Sequence, residues 1–113
     1  MAAIANLTID QGATFNSDVT VKDANNNAFD LTGYTASAKM AKGFSSTRTR
    51  TSITCTISTP ATSGVVTLAL TADETSNLDD GRYVYDLEIL QTSSSTVTRV
   101  IEGIITVRPQ VTT

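Results

Sequence analysis

Histidine and tryptophan do not occur in this chain, cysteine occurs once, and aromatic residues make up only 5%. Each shortage excludes something. Without histidine there is no imidazole to serve as general base, zinc ligand or switch near neutral pH. The single cysteine, Cys55, rules out a disulfide within the chain. Basic residues are also few, 8 against 11 acidic ones for a net charge of −3, which disfavours nucleic acid as a partner because phosphate binding needs a positive surface. Long apolar runs are missing: none approaches the roughly 20 residues that span a bilayer, so no membrane association is expected. The first residues, Met-Ala-Ala-Ile-Ala-Asn, lack the basic and long apolar regions of a secretory leader. They predict a soluble protein made in a cytoplasm.

What remains suits one β-rich domain. The chain has 113 residues, near the modal domain size, and 40% of them are hydrophobic. With so few aromatics, the core must come mainly from Val, Ile, Leu and Ala. Abundant threonine and serine favour pleated strands and polar turns over long helices. No repeat or linker divides residues 1–113, so a single domain is expected.

The clearest pattern runs from Asp79 to Val107. After the turn Asp79-Asp80-Gly81, residues Tyr83, Tyr85, Leu87 and Ile89 alternate with Asp86 and Glu88, a strand with one buried face. Gln91 to Ser95 forms a polar turn, and Thr96 to Val107 returns as a longer strand. If Gln91 pairs with Thr96, Glu88 lies opposite Arg99, a surface pair worth some tenths of a kcal/mol. Strict alternation puts Val97, Ile101, Ile105 and Val107 on one face of the return strand, and Val100 and Ile104 on the other. A strand apolar on both faces needs cover on both. That cover comes from the arm Ile4 to Ile9, from the turn Thr71 to Leu78, or from another subunit.

Period-two patterns recur upstream. Ile4, Leu7 and Ile9 mark an edge strand or N-terminal arm within residues 1–11. Phe15, Val19 and Val21 mark a strand over 14–22, followed by an asparagine-rich turn and a short return strand at Ala28 to Leu31. Tyr34 to Ala41 alternates with Ala36, Ala38 and Met40 on one face. Lys42 to Ser52 reads as an exposed loop or hairpin tip. Ile53, Cys55 and Ile57 mark the next strand, and Val66, Leu68 and Leu70 the one after it. Thr71 followed by Glu74 is a capping box, predicting one helical turn over about 72–78 with Leu78 plugging the end of the core. Beyond Arg108, Pro109 opens a C-terminal tail over 108–113. Seven to nine short strands with frequent turn signals predict an all-β, antiparallel sandwich or barrel.

Candidate chemistry is thin. Asp79 and Asp80, with Asp73, Glu74 and Asp86 near them, offer oxygen ligands, but their spacing matches no calcium loop and fits turn and cap positions. Cys55 alternates with Ile53 and Ile57 and has no base to activate it, so it reads as a small core residue. Asn6-Leu7-Thr8 fits a glycosylation sequon without a leader to support its use. No catalytic, metal or cofactor residue is assigned, and no enzyme is expected.

Several segments carry a resemblance. Asp30-Leu-Thr-Gly-Tyr34 with the Lys-Met strand after it is one, and Ser63-Gly-Val-Val-Thr-Leu-Ala-Leu-Thr-Ala-Asp-Glu-Thr75 another. Leu78-Asp-Asp-Gly-Arg-Tyr-Val-Tyr-Asp-Leu-Glu88 and Thr98-Arg-Val-Ile-Glu-Gly-Ile-Ile-Thr-Val107 complete the set. Together they resemble a small protein common in tailed bacteriophages, especially virion structural proteins of cyanophages. They are also similar to the immunoglobulin-like domain at the N-terminus of phage baseplate upper proteins. The match spans about 12–111.

The resemblance implies an immunoglobulin-like β-sandwich located in a virion, assembled in the host cytoplasm. It would bind capsid or tail and baseplate proteins and further copies of itself. This chain lacks the downstream fibre or receptor-binding segment of the longer baseplate proteins. The contact residues expected on these grounds are Ile4, Leu7 and Ile9 in the arm; Lys42, Phe44, Arg48 and Arg50 in the basic tip; and Ile101, Ile105, Val107 and Val111 at the C-terminal end. The alternative is a carbohydrate-binding module for a host surface. Against it, sugar sites usually stack on exposed aromatics, and with Tyr83 and Tyr85 turned inward only Tyr34 remains as a platform.

Overall fold

The computed structural model describes residues 3–43 and 50–111. Among these residues eight strands form: β1 (Ala3–Ile4), β2 (Leu7–Asp10), β3 (Phe15–Thr20), β4 (Tyr34–Ala41), β5 (Thr51–Ile57), β6 (Val65–Leu70), β7 (Gly81–Gln91) and β8 (Thr96–Arg108). One short helix, α1 (Ala72–Ser76), joins β6 to β7. The expected all-β architecture with a helical turn after Thr71 is what the chain adopts, and a second, 3-10 turn at Ala61–Ser63 precedes β6.

The strands follow one another across a curled sheet in the order β1-β8-β7-β4-β5-β6-β3, with β2 also on β8. β5 turns this sheet into two layers by changing partner half-way. Its first residues pair with β4 (Met40 with Thr51, Ala38 with Ile53), and its later ones pair with β6 (Thr54 with Ala69, Ile57 with Val66). One layer is therefore β8-β7-β4 with β1 and β2 at its edge, and the other is β6-β3. The interlocked antiparallel pairs β3–β6 and β4–β7 are those of the immunoglobulin Greek key. The N-terminal strands depart from antiparallel order, since β1 and β2 run parallel to β8.

The alternating positions fill the space between the layers. Phe15, Val19, Met40, Ile53, Val66, Leu68, Leu70, Tyr83, Tyr85, Leu87 and Ile89 are all buried there. Each large aliphatic removed from water contributes about 1.5–3 kcal/mol, which is how so aromatic-poor a chain still holds two layers together. Cys55 is half-buried at the margin of this core.

One end of the core is closed by polar devices. At α1 the capping box forms in full: the Glu74 amide donates to the Thr71 hydroxyl at 3.1 Å, and the Thr71 amide donates to the Glu74 carboxylate at 2.8 Å. Leu78 plugs the end beyond it, 6% exposed. The Thr75 side chain is fully buried; its hydroxyl accepts from the Gly12 amide at 3.0 Å and donates to the Ala13 carbonyl at 2.8 Å. That ties α1 to the β2–β3 turn. At the start of β7 the Tyr83 hydroxyl donates to the Asp79 carbonyl at 2.9 Å, the tyrosine corner that immunoglobulin-like sandwiches place here.

Two expectations are corrected. Ala28 to Leu31 is not a return strand; only a bridge between Lys22 and Ala28 forms. The Asp23 carboxylate accepts the amides of Asn25 and Asn27, and that of Asp30 accepts Thr32, so local bonds replace a ladder. Leu31 still reaches the core, because its amide donates to the Ala61 carbonyl at 3.0 Å. The second correction concerns β8. Its register against β7 shifts at Leu87/Glu88, so that Ile101 faces Leu87 while Arg99 faces Glu88, leaving Val100 as an extra bulged residue. The bulge reverses the alternation. Val97, expected beside Ile101, instead stands opposite Leu90 on the outer face and is 57% exposed.

Candidate interaction surface

The outer face of β4, β7 and β8 is built by the residues between the core positions. Its central row is Lys39 on β4, Asp86 on β7 and Glu102 on β8, directly opposite one another in register. The next row toward the hairpin turn is Ser37, Glu88 and Arg99. Apolar rows flank this polar centre. On one side stand Val84 and Ile104, with Ala41 in register beside Val84 but covered, and on the other Leu90 and Val97 with Thr35. Ile4 on β1 pairs with Glu102 and extends the face at its edge.

Arg99 organises the charges. Its guanidinium lies 3.3 Å from the Asp86 carboxylate and 3.4 Å from that of Glu102. Glu88 and Arg99 are opposite in register, as Gln91 pairing with Thr96 requires, yet Arg99 bonds the other two acids. A surface ion pair of this kind is worth well under about 1 kcal/mol, so its effect is on orientation more than stability. Beside it, Ser37, Lys39, Arg50, Asp86, Glu88 and Arg99 line a depression of about 440 Å³.

The expected contact residues divide sharply. Ile9, Ile101, Ile105 and Val107 are at most 3% exposed and belong to the core, so they offer no contact surface. Their apolar character reflects the pairing of β2 with β8 and the inward face of β8. Leu7 is half-buried against the same core. Ile4 at 75% and Val111 at 95% exposure do face outward.

Lys42, expected as a docking charge, is held at the tyrosine corner. Its ammonium donates to the Asp80 carbonyl at 2.9 Å and sits 4.5 Å from the Tyr83 ring centroid. Arg50 is exposed and lines the depression. Phe44 and Arg48 lie outside the described residues.

Neither the arm nor the 71–78 turn covers the outer face of β8. β1 and β2 extend the sheet edge-on, and α1 seals one end of the core. Ile104 therefore stays 40% exposed. Sequence reasoning missed Lys39, Val84 and Val97 as members of one surface. The signal for the first two was their register opposite Asp86 and Ile104, while Val97 needed the bulge. The candidate sugar platform, Tyr34, is half-buried and packs edge-to-face on Phe29, centroids 5.3 Å apart.

Burial raises the titration of the two core tyrosines: Tyr85 is pushed up to about 12, and Tyr83 upward by burial and then by the Asp79 charge. Burial also pushes the Cys55 thiol up to about 11, which makes it a weak nucleophile at neutral pH.

No family model matches the chain, and no curated protein does. Solved structures share its general shape. InlP of Listeria monocytogenes matches over 95% of this chain at 15% identity and a TM-score of 0.49. The chain spans 28% of InlP's length. The filamin domain of Lin-41 matches over 89% of this chain and 82% of its own length, with 18% identity and a TM-score of 0.44. The natural killer cell receptor NKp44 matches over 96% and 99% respectively, with 15% identity and a TM-score of 0.43. Such distant likenesses assign neither an activity nor a partner to this chain.

Proposed function

We propose that this chain is a non-enzymatic structural subunit of a tailed-phage virion. It binds capsid or tail and baseplate proteins as a decoration or accessory component, and binds further copies of itself. Two things support this: the resemblance carried by the β4, β6–α1, β7 and β8 segments, and the outer face of β4-β7-β8. The second is the observation that carries it. Of the four large hydrophobic residues exposed among the described residues, three (Ile4, Val97 and Ile104) belong to that one face. Ile4 and Ile104 stand together at one end of the face and Val97 at the other, with the charged rows between them, so the face combines apolar and charged groups as docking surfaces do.

A sheet face loses little conformational entropy on docking, and symmetric repetition in a particle lets individually weak contacts add. The test is co-sedimentation of the purified chain with assembled phage particles, comparing wild type with Ile104→Asp. Pelleting of the wild type and loss of pelleting for the variant are expected. A wild-type chain that stays in the supernatant, or clean and specific binding on a glycan array, would overturn the assignment in favour of the adhesion alternative.

A further inference from the structure

β3 ends the sheet, and among the described residues β6 is its only ladder partner. Bond direction shows what its other edge presents. The Val21 amide donates to the Gly64 carbonyl at 2.7 Å, and across β6 the Ser58 amide donates to the Val65 carbonyl at 2.9 Å. Odd-numbered residues of β6 therefore bond β5, and its even-numbered residues bond the odd-numbered residues of β3. The main-chain groups of Asn16, Asp18 and Thr20, and of Lys22 just beyond, point to the open edge.

We propose that a second copy of this chain pairs with that edge, β3 against β3 in antiparallel order, with a two-fold axis beside Thr20. This deepens the assembly role above, on which it rests, by naming the surface through which copies meet. It leaves the outer face of β4-β7-β8 to other proteins.

Main chain and side chains select the same register. A two-fold axis that sets Thr20 against its own mate also sets Asp18 of each copy against Lys22 of the other. All three residues have outward main-chain groups, so three pairs exchange two bonds each, about six in all. Their side chains are all exposed, and both a threonine pair and an acid–base pair are favourable across antiparallel strands. Among the described residues neither Asp18 nor Lys22 forms an ion pair within its own chain. No charged residue meets its own mate in this register. Centring the axis on Asp18 would set that acid against itself, and centring it on Val19 would engage Asn16, which β2 flanks.

The surroundings leave the Lys22 end clear. The turn after Lys22 folds toward β6, where the Phe29 amide donates to the Val21 carbonyl at 2.9 Å beside Gly64. β2 approaches the Phe15 end instead, where Leu7, Thr8, Asp10, Asn16 and Ser17 border a depression of about 260 Å³.

Unused edges are commonly blunted by shortness, bulges, proline or charge. The opposite edge of this sheet begins with β1, which has two residues. β3 has six, with no proline and no register shift against β6. A lone charge would guard such an edge, but Asp18 and Lys22 lie equally far on either side of Thr20, so the two-fold neutralises both.

The experiment is sedimentation equilibrium on the full-length chain up to about 1 mM, because an edge contact buries less than the about 1,200 Å² of standard interfaces and is weak alone. Circular dichroism confirms that each variant keeps its β structure. The wild type should approach twice the 11.9 kDa chain mass as concentration rises. Asp18→Lys and Lys22→Asp each set like charges across the axis twice, and each should weaken association at least about tenfold. The double variant carrying both reversals should restore it. Thr20→Pro removes the outward amide on the axis without breaking a bond to β6, and should abolish association. Amide exchange followed by NMR should slow at Thr20 and Lys22 with rising concentration, and stay unchanged at Val21, already bonded to Gly64.

Monomeric wild type at about 1 mM, a double variant no stronger than the single ones, or association indifferent to Thr20→Pro would each overturn the proposal. Slowed exchange at Thr20 only when particles are added would overturn it in favour of a strand from another protein. The particle assay separates the two levels: a monomer that still pellets with particles sinks only the dimer, and a dimer that never pellets sinks only the virion role.

Discussion

Gly103→Ala is the sharpest probe of how this fold holds its N-terminus. Gly103 lies on β8 opposite Tyr85, at a core-facing position. In place of a side chain it receives the backbone of Ala5, where the chain passes from β1 to β2. A Cβ on residue 103 would stand 2.9 Å from the Ala5 carbonyl carbon and closer still to its oxygen. Backbone cannot swing aside as a flexible side chain does, so the β1–β2 link must lift.

Three bonds are then at stake. The Tyr85 hydroxyl donates to the Ala5 carbonyl, the Ala5 amide donates to the Glu102 carbonyl at 2.9 Å, and the Ile104 amide donates to the Asn6 side-chain oxygen at 3.0 Å. At about 1 kcal/mol each, their loss totals about 3 kcal/mol, or roughly 10 °C in melting temperature for a domain of this size. Tyr85→Phe in the wild-type background removes one of them and should cost about 1–1.5 kcal/mol. In the Gly103→Ala background it should cost almost nothing further, because the bond is already gone.

Urea unfolding of the four proteins of this cycle measures both terms. A Gly103→Ala protein within about 0.5 kcal/mol of wild type, or strictly additive costs in the double variant, would refute the packing argument.

Three further outcomes follow from the buried polar groups. Thr75→Val keeps the shape but strands the Gly12 amide and the Ala13 carbonyl, and calorimetry should show a loss of about 2–3 kcal/mol. Tyr85 binds its proton more tightly folded, at about 12, than its ordinary value near 10. The folded state therefore holds more protons than the unfolded state between those values. The associated stability is complete below about pH 10 and falls as pH rises toward 12, a decline that Tyr85→Phe should reduce in urea titrations. Cys55, with its thiol at about 11, should carry about a hundredfold less thiolate at pH 8 than an ordinary cysteine; maleimide labelling should be correspondingly slow until urea unfolds the chain.

Much of this molecule is legible in its residues because side-chain alternation is local. β7 buries Tyr83, Tyr85, Leu87 and Ile89 as their spacing requires, and Thr71 with Glu74 starts α1 through bonds confined to four consecutive residues. The all-β class, the strands β3 to β8 and the plug at Leu78 all follow from patterns within one element and its turns.

Other features depend on residues far apart in the chain, and tertiary structure alone decided them. The bulge at Val100 belongs to the pairing of β8 with β7, a strand elsewhere in the chain, and it turned Val97 from core to surface. Which of two apolar faces is covered cannot be read from either face alone; Ile101 is buried because Leu87 stands beside it, and Ile104 is open because β1 and β2 extend the sheet instead of crossing it. Likewise the charge of Lys42 was visible, but its pinning at Asp80 and Tyr83 was not. Periodicity records which side chains share a face, whereas burial depends on what the rest of the chain brings to that face.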